Sequence, residues 1–310
     1  MQCMEVWGGN QPVNCGVVMA GLDAWVYSRP YGDAAAGGDV HYVSSCATGR
    51  ITRLLLADVS GHGDPVARTA AGLRNLMRQF VNFIDQTRFV RRMNEQFTNL
   101  DHAGLFATAV VTTYFAPTSE LAVCNAGHPP PLRYCAASGR WTVLEARSGA
   151  SSGGTRSARP AEISNTPLGI IERVQYEQFA TRLAVGDLVL CYTDALSECR
   201  GADGQMLGTR GLLELVQSID LSDPAEFVPA VLAALEAMNP TNLKEDDVTA
   251  LLFRVNGLAP KLTLRDKAHS LYVWFRAMLG ALRPGGPPAP WPELSFRSLG
   301  RSVFANLPRP

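Results

Sequence analysis

Apolar positions in this chain follow two patterns, short runs typical of strands and longer stretches with helical spacing. The run 51–56, Ile-Thr-Arg-Leu-Leu-Leu, predicts a largely buried strand, and the turn 48–50 predicts a hairpin with the strand before it. Strands are predicted at 22–28, 40–43, 51–56, 106–115, 120–125, 175–183, 187–193 and 248–253.

Helical spacing begins after residue 63. Asp64 is the predicted N-cap of the first helix, with Pro65 in its first turn. Further helices are predicted around 89–100 and 224–238. Residues 1–20 lack a clear pattern and are interpreted as an N-terminal arm, and 148–157 as a flexible loop rich in Ser and Gly. Blocks of strands followed by helices favour an α+β layered fold.

Carboxylates stand at the ends of four predicted strands. Asp39 opens one strand, Asp58 and Asp194 each follow one, and the pair Asp246-Asp247 precedes the last. Asp58 alone could simply cap its turn, but four such sites predict one acidic cluster at a sheet edge. Oxygen ligands of this kind suit hard cations such as Mg²⁺ or Mn²⁺.

Composition narrows the class of protein. The 310 residues are 46% hydrophobic and 18% charged, enough for one sizeable core. A formal net charge of 0 gives no indication of nucleic-acid binding. The 7 cysteines form no C-x-x-C pair, and neither a secretory signal nor a membrane-length apolar run is found, so reduced thiols in the cytoplasm are expected.

An ordered series of motifs carries a family resemblance. The motifs are Gly37-Gly38-Asp39, Ala57-Asp58-Val59-Ser60-Gly61-His62-Gly63, Asn125-Ala126-Gly127-His128-Pro129-Pro130-Pro131-Leu132, Pro167-Leu168-Gly169, Gly186-Asp187, Tyr192-Thr193-Asp194-Ala195-Leu196-Ser197-Glu198 and Asp246-Asp247-Val248-Thr249. Over residues 21–256 the chain resembles the bacterial SpoIIE- and RsbU-like branch of the PPM metal-dependent protein phosphatases, relatives of protein phosphatase 2C.

The resemblance implies a two-sheet antiparallel β-sandwich flanked by helices, with two divalent cations, Mn²⁺ or Mg²⁺, at one edge. Asp58 would bridge the cations, the Val59 carbonyl would add a ligand, and Asp194 and Asp246 would hold one cation. Asp39 would support the cluster, and Asp247 is the alternative to Asp246. Asp58 and Asp194 would be catalytic by holding an activated water for attack on phosphoserine or phosphothreonine. The implied substrate is a phosphorylated regulatory protein, such as an anti-sigma-factor antagonist.

Three residues leave alternatives open. His62 could be a general acid, or it could pack in the turn at the helix start. His128 could be a site residue, or a hydrogen-bonded turn histidine. Tyr42 stands where relatives often carry a second acid, three residues after the first. It therefore keeps open a PPM-fold pseudophosphatase that binds or scaffolds phosphoproteins without turnover.

Residues 257–310 lie beyond the resemblance and are predicted to form a tail, an amphipathic helix followed by a Pro/Gly-rich segment. The tail carries a formal charge of +6 against −6 for the rest of the chain. It could pack in cis, fill a partner's groove or, as the minor option, meet a membrane surface. Regulatory partners are expected at the tail or at the helices within 65–100.

Truncation after Asn256 tests the tail. The truncated protein is expected to fold and keep its metal requirement, to expose a new apolar patch, and to change in activity or partner binding. Thermal unfolding, binding of an apolar dye and phosphatase rate, each compared with the full chain, check this. Identical values in all three would make the tail an independent appendage.

Overall fold

Two six-stranded antiparallel sheets lie face to face in the computed structural model of the chain. The structure describes residues 3–46, 48–61, 64–100, 104–146 and 165–258. The first sheet contains, in spatial order, β1 (Cys3–Gly9), β4 (Asp39–Cys46), β5 (Ile51–Val59), β6 (Ala107–Phe115), β7 (Glu120–Ala126) and β10 (Phe179–Arg182). The second contains β2 (Val13–Val18), β3 (Leu22–Arg29), β12 (Val248–Val255), β11 (Leu188–Tyr192), β8 (Leu132–Cys135) and β9 (Arg140–Val143).

Helices cover the outer face of each sheet. Against the first sheet pack α1 (Asp64–Phe80) and α2 (Gln86–Leu100), and against the second α3 (Asp194–Ser197), α4 (Gly208–Ser218) and α5 (Pro224–Met238). Three apolar cores result, one between the sheets and one under each helical layer. The predicted α+β sandwich flanked by helices is confirmed. No helix of the described residues is both long and apolar enough to cross a bilayer.

The predicted hairpin of β4 and β5 is present, with pairs running from Asp39 and Asp58 to Ser45 and Thr52. All apolar residues of β5 are buried except Ile51, which agrees with its unbroken apolar pattern. The helix predicted at 224–238 has these bounds because Asp223 caps it, accepting from the Ala225 N–H at 2.9 Å, and Pro224 occupies the first turn.

The interpretation of residues 1–20 as an arm is wrong. Cys3–Gly9 form β1 at the edge of the first sheet, and Val13–Val18 form β2 at the edge of the second. Both strands contain glycine and half-exposed positions, so neither shows the clean alternation by which a strand is recognised. Strands β8 and β9 and helices α3 and α4 were also not predicted, and the strand expected over 175–183 is limited to Phe179–Arg182. The loop 148–157 and the tail helix lie outside the described residues.

A buried arginine fixes α1 and α2 to the centre of the first sheet. Arg53 of β5 donates to the Val81 carbonyl at 3.0 Å and the Phe83 carbonyl at 2.9 Å, both in the connection between the two helices. Its third bond goes to the Thr113 hydroxyl at 3.0 Å, and its guanidinium lies 4.7 Å from the centroid of the Phe89 ring. The charge is thus satisfied by dipoles and an aromatic face.

Tyr42 does not occupy a site position. It lies three residues beyond Asp39, so strand alternation turns it to the opposite face, into the core between the first sheet and α1. It is 1% exposed, and burial, with the Glu5 carboxylate as the second cause, raises its pKa to about 12. An acid here would lie in the core, so Tyr42 gives no support to a catalytically inactive, binding-only protein.

Tyr42 substitutions test this placement. Tyr42→Asp is expected to lower the free energy of unfolding by about 3 kcal/mol or more, since it leaves a cavity and buries a carboxyl group. Tyr42→Phe should change it by less than about 1 kcal/mol, because the Tyr42 hydroxyl has no hydrogen-bond partner among the described residues. Urea denaturation measures both. A stable Tyr42→Asp variant would contradict the placement.

Candidate metal centre

Asp39 and Asp58 are paired across neighbouring strands of the first sheet. Asp39 opens β4 and lies opposite Asp58, the penultimate residue of β5. On its other side Asp58 lies opposite Thr108 of β6. Residues directly opposite in antiparallel strands project to the same face, so the two carboxylates and the Thr108 hydroxyl form one row.

Asp194 and Asp246 come to the same rim from the second sheet. Asp194 opens α3 directly after Thr193 at the end of β11, and Asp246 precedes β12, the strand paired with β11. The Thr193 hydroxyl accepts the Thr249 N–H at 3.1 Å and donates to the Asp39 carboxylate at 3.0 Å. This last bond joins the two sheets directly at the rim.

Burial and mutual repulsion raise the pKa values of the rim carboxylates. Burial, followed by the Asp194 and Asp246 carboxylates, raises the pKa of Asp58 to about 7. Burial and then the Asp58 carboxylate raise the pKa of Asp39 well above its usual range, and Asp39 is only 2% exposed. The pKa of Asp194 is raised by burial. That of Asp246 is raised by burial and also by repulsion from neighbouring carboxylates, Asp194 among them. The rim therefore concentrates negative charge.

Glu198 is an acid of this rim to which the sequence analysis gave no role. It follows Asp194 by four residues, one turn along α3, and its N–H donates to the Asp194 carbonyl at 2.8 Å. Its carboxylate contributes to raising the pKa of both Asp58 and Asp246. The signal was the helical spacing of two acids, which was hidden because α3 has only four residues.

Asp247 has a different position from its neighbour. It is 4% exposed, and its two carboxylate oxygens accept from the backbone N–H groups of Tyr31 at 2.6 Å and Gly38 at 2.5 Å. Asp246 is an exposed residue whose carboxylate is only partly shielded from water, and one of its oxygens accepts the Asp247 N–H at 2.8 Å. The geometry favours Asp246 as the open carboxylate and Asp247 as an anchor of the loop that leads into Asp39.

The two glycines before Asp39 are needed for this close approach. A Cβ on Gly37 would lie 2.4 Å from Oδ1 of Asp247, and one on Gly38 would lie 2.9 Å from the Val59 carbonyl oxygen. The Val59 N–H donates to the Gly38 carbonyl at 3.3 Å. The Val59 carbonyl is thereby held beside the loop that presents Asp39.

The donor set fits divalent cations that prefer oxygen. In the part of the chain that the structure describes, no three His, Cys, Asp or Glu side chains are arranged as a ready ion site. Mg²⁺ commonly takes only one or two carboxylates from a protein and keeps several waters, so a rim of separated carboxylates suits it. A bound cation would also relieve the repulsion that raises the pKa values of these acids.

His62 and His128 are the two histidines that the sequence left with alternative roles. His62 lies outside the described residues. His128 is the hydrogen-bonded turn histidine that was one of the two alternatives. Its backbone N–H donates to the Asn125 side-chain oxygen at 2.7 Å, and its ring Nδ1 lies 2.7 Å from the Thr108 hydroxyl.

Comparisons with known proteins identify the family of the chain. The family model described as Stage II sporulation protein E (SpoIIE) matches residues 48–256. Phosphoserine phosphatase RsbU of Bacillus subtilis is 24% identical over 202 residues, which cover 65% of this chain and 55% of the relative. The chain thus spans little more than half of that relative's length.

Solved structures show the same fold. The crystal structure of the RsbU and RsbW domains of a Mycobacterium tuberculosis protein superposes with a TM-score of 0.59 at 25% identity, covering 87% of this chain and 70% of that one. The PP2C phosphatase domain of the Bacillus subtilis cell-fate determinant SpoIIE, with a fragment of its regulatory domain, gives a TM-score of 0.62 at 15% identity. It covers 77% of this chain and 64% of that one.

The neighbouring acids Asp246 and Asp247 provide a matched test of their positions. Asp247→Asn is expected to lower the free energy of unfolding by about 1–3 kcal/mol, because an amide can accept only one of the two backbone N–H groups. Asp246→Asn should leave the stability of the metal-free protein unchanged or raise it, since it removes a charge from the rim. Urea denaturation in the presence of a chelator measures both, and the reverse pattern would exchange the two assignments.

Proposed function

Because the chain belongs to the SpoIIE family, we propose that it is a metal-dependent phosphatase for phosphoserine or phosphothreonine on a regulatory protein. The observation that supports the proposal is that Asp39 and Asp58 of the first sheet meet the segment before Asp194 of the second, joined by the bond from Thr193 to Asp39. The groups that raise the pKa of Asp58 beyond the effect of burial are all carboxylates, Asp194 and Asp246 among them. A bound cation would offset the repulsion among these acids.

The proposed roles are those that the family resemblance implies. Asp58 would be the ligand shared by two cations, the Val59 carbonyl would add an oxygen, and Asp194 and Asp246 would hold one cation. Asp39, bound to Thr193, supports Asp58 from the neighbouring strand. When bound, Mn²⁺ or Mg²⁺ lowers the pKa of water and neutralises charge on the phosphoryl oxygens. Asp58 and Asp194 would orient the attacking water.

The similar proteins support a phosphorylated protein as the substrate. The relative named a phosphoserine phosphatase supports phosphoserine, and the structure that joins RsbU and RsbW domains supports a partner-switching substrate such as an anti-sigma-factor antagonist. Regulatory partners are proposed to bind α1 and α2, which follow the Asp58 loop directly, or the tail. A cytoplasmic location is proposed from the seven cysteines, all of which are free.

Removing one charge from the cluster tests the activity. Asp58→Asn and Asp194→Asn are each expected to lower kcat/KM for a generic phosphate ester with Mn²⁺ by about a hundredfold or more, because ligands act as a unit. Stability of the metal-free protein should hold or rise as the repulsion falls.

Asp203→Asn is the matched control, since Asp203 is exposed on a surface turn and its Oδ1 accepts the local Gln205 N–H. It should behave as the unmodified protein. Near-normal turnover of Asp58→Asn at saturating Mn²⁺ would contradict the proposed site.

A further inference from the structure

A buried histidine lies between the two halves of the proposed site. His128 is 5% exposed and follows β7 in a turn that leaves it little freedom. The Asn125 side chain closes the turn from both sides, accepting the His128 N–H at 2.7 Å and donating to the His128 carbonyl at 2.8 Å. Gly127 has a φ of 70°, and a Cβ there would lie 2.5 Å from Cγ of Pro167. The imidazole is therefore held in one place by its backbone.

On one side the ring contacts the first sheet. Its Nδ1 lies 2.7 Å from the hydroxyl of Thr108, the residue opposite Asp58. Thr108 is the outer member of the row that contains Asp39 and Asp58. Asp58 has Asp39 on one side and Thr108 on the other. A contact that holds the Thr108 side chain therefore restricts the movement of Asp58 on that second side.

On the other side the ring faces the second sheet. The backbone carbonyl of Tyr192, the last residue of β11, is the group that acts on the imidazole from there. Asp194 follows Tyr192 by two residues. Burial lowers the pKa of His128 to about 3 against the effect of this carbonyl, which favours the neutral ring at neutral pH.

A neutral imidazole has one N–H donor and one acceptor. If Nδ1 accepts the Thr108 hydroxyl, the proton is on Nε2, which is buried without a hydrogen-bond partner among the described residues. The backbone carbonyl of Tyr192 is near enough to the ring to act on its pKa, although the two do not form a hydrogen bond. The ring therefore lies between the strand beside Asp58 and the backbone that leads into Asp194.

We propose that His128 is a positioning residue: through Thr108 on one side and the Tyr192 backbone on the other, it sets the distance between Asp58 and Asp194. The inference rests on the proposed function, because it concerns the geometry of that same site. The ring does not touch the reacting atoms; it acts by keeping the carboxylates of the two sheets at the spacing that a cation requires. Partners that orient ligands in this way affect metal affinity by about 10–100-fold.

The experiment measures manganese binding directly. Isothermal titration calorimetry with MnCl₂ is carried out on the full chain and on His128→Phe, Thr108→Val and the double variant, with urea denaturation of each. We expect about tenfold weaker Mn²⁺ binding in both single variants and no further loss in the double variant, because both residues belong to one chain of contacts. KM for a generic phosphate ester should change less than kcat.

Thr112→Val is the matched control. It removes a buried hydroxyl from the same strand, one that donates to the Leu54 carbonyl at 3.2 Å and stands four residues along β6 from Thr108. Thr112→Val should lower the free energy of unfolding by about as much as Thr108→Val does and leave the Mn²⁺ affinity unchanged. If His128→Phe does not fold, His128→Asn and Thr108→Ser provide milder tests of the same contact.

The outcomes separate two failures. Mn²⁺ binding that is lost in Asp58→Asn but unchanged in the His128 and Thr108 variants would overturn the positioning role alone. Equal loss of affinity in Thr112→Val would also overturn it, because a general loss of stability would then explain the effect. An unmodified protein that binds no Mn²⁺ would overturn the proposed function and this inference with it.

Discussion

Mutual repulsion among carboxylates is the constraint on which the rest of this structure depends. Asp58 cannot move away from Asp39, because the two are paired in one antiparallel ladder. Asp194 cannot withdraw either, since it opens a helix that directly follows a central strand of the other sheet. The strands pair through their backbones and pack through apolar side chains, so the folding free energy of two sheets holds like charges together. In an ordinary protein such a cluster would be a defect.

Hydrogen bonds at the rim offset part of the free energy that the repulsion among the carboxylates costs. Thr193 binds Asp39 across the sheets, and Asp247 uses both of its oxygens on backbone amides. Each of these bonds joins β11 or β12 of the second sheet to the loop or strand that carries Asp39. The rim is therefore one connected structure. Asp247 accepts two backbone N–H groups from the segment before Asp39, whereas Asp246 accepts the N–H of its own neighbour Asp247, and this difference separates the two acids more clearly than their order in the chain.

The sequence was sufficient for the parts that depend on periodicity. Apolar runs located β5 and its hairpin partner, and acids at four strand ends located the rim, because strand ends that meet at one sheet edge bring their flanking residues together. Edge strands were missed since β1 and β2 contain glycine and lie half exposed, which removes the alternation. Glu198 was missed because its nearness to Asp194 depends on a single helical turn, which the sequence pattern did not predict. Tyr42 was misjudged because a family position was considered without the strand face to which it belongs.

Arg53 has a mechanical consequence. Its three hydrogen bonds and its contact with Phe89 fasten the connection between α1 and α2 to the middle of the first sheet. Sliding the helix pair along the sheet would strip a buried cation of its partners, a change that costs several kcal/mol. The end of α1 at Phe80 is thus a fixed hinge point. Any rotation of this helix has its longest lever arm at residue 64, the end that adjoins the loop after Asp58.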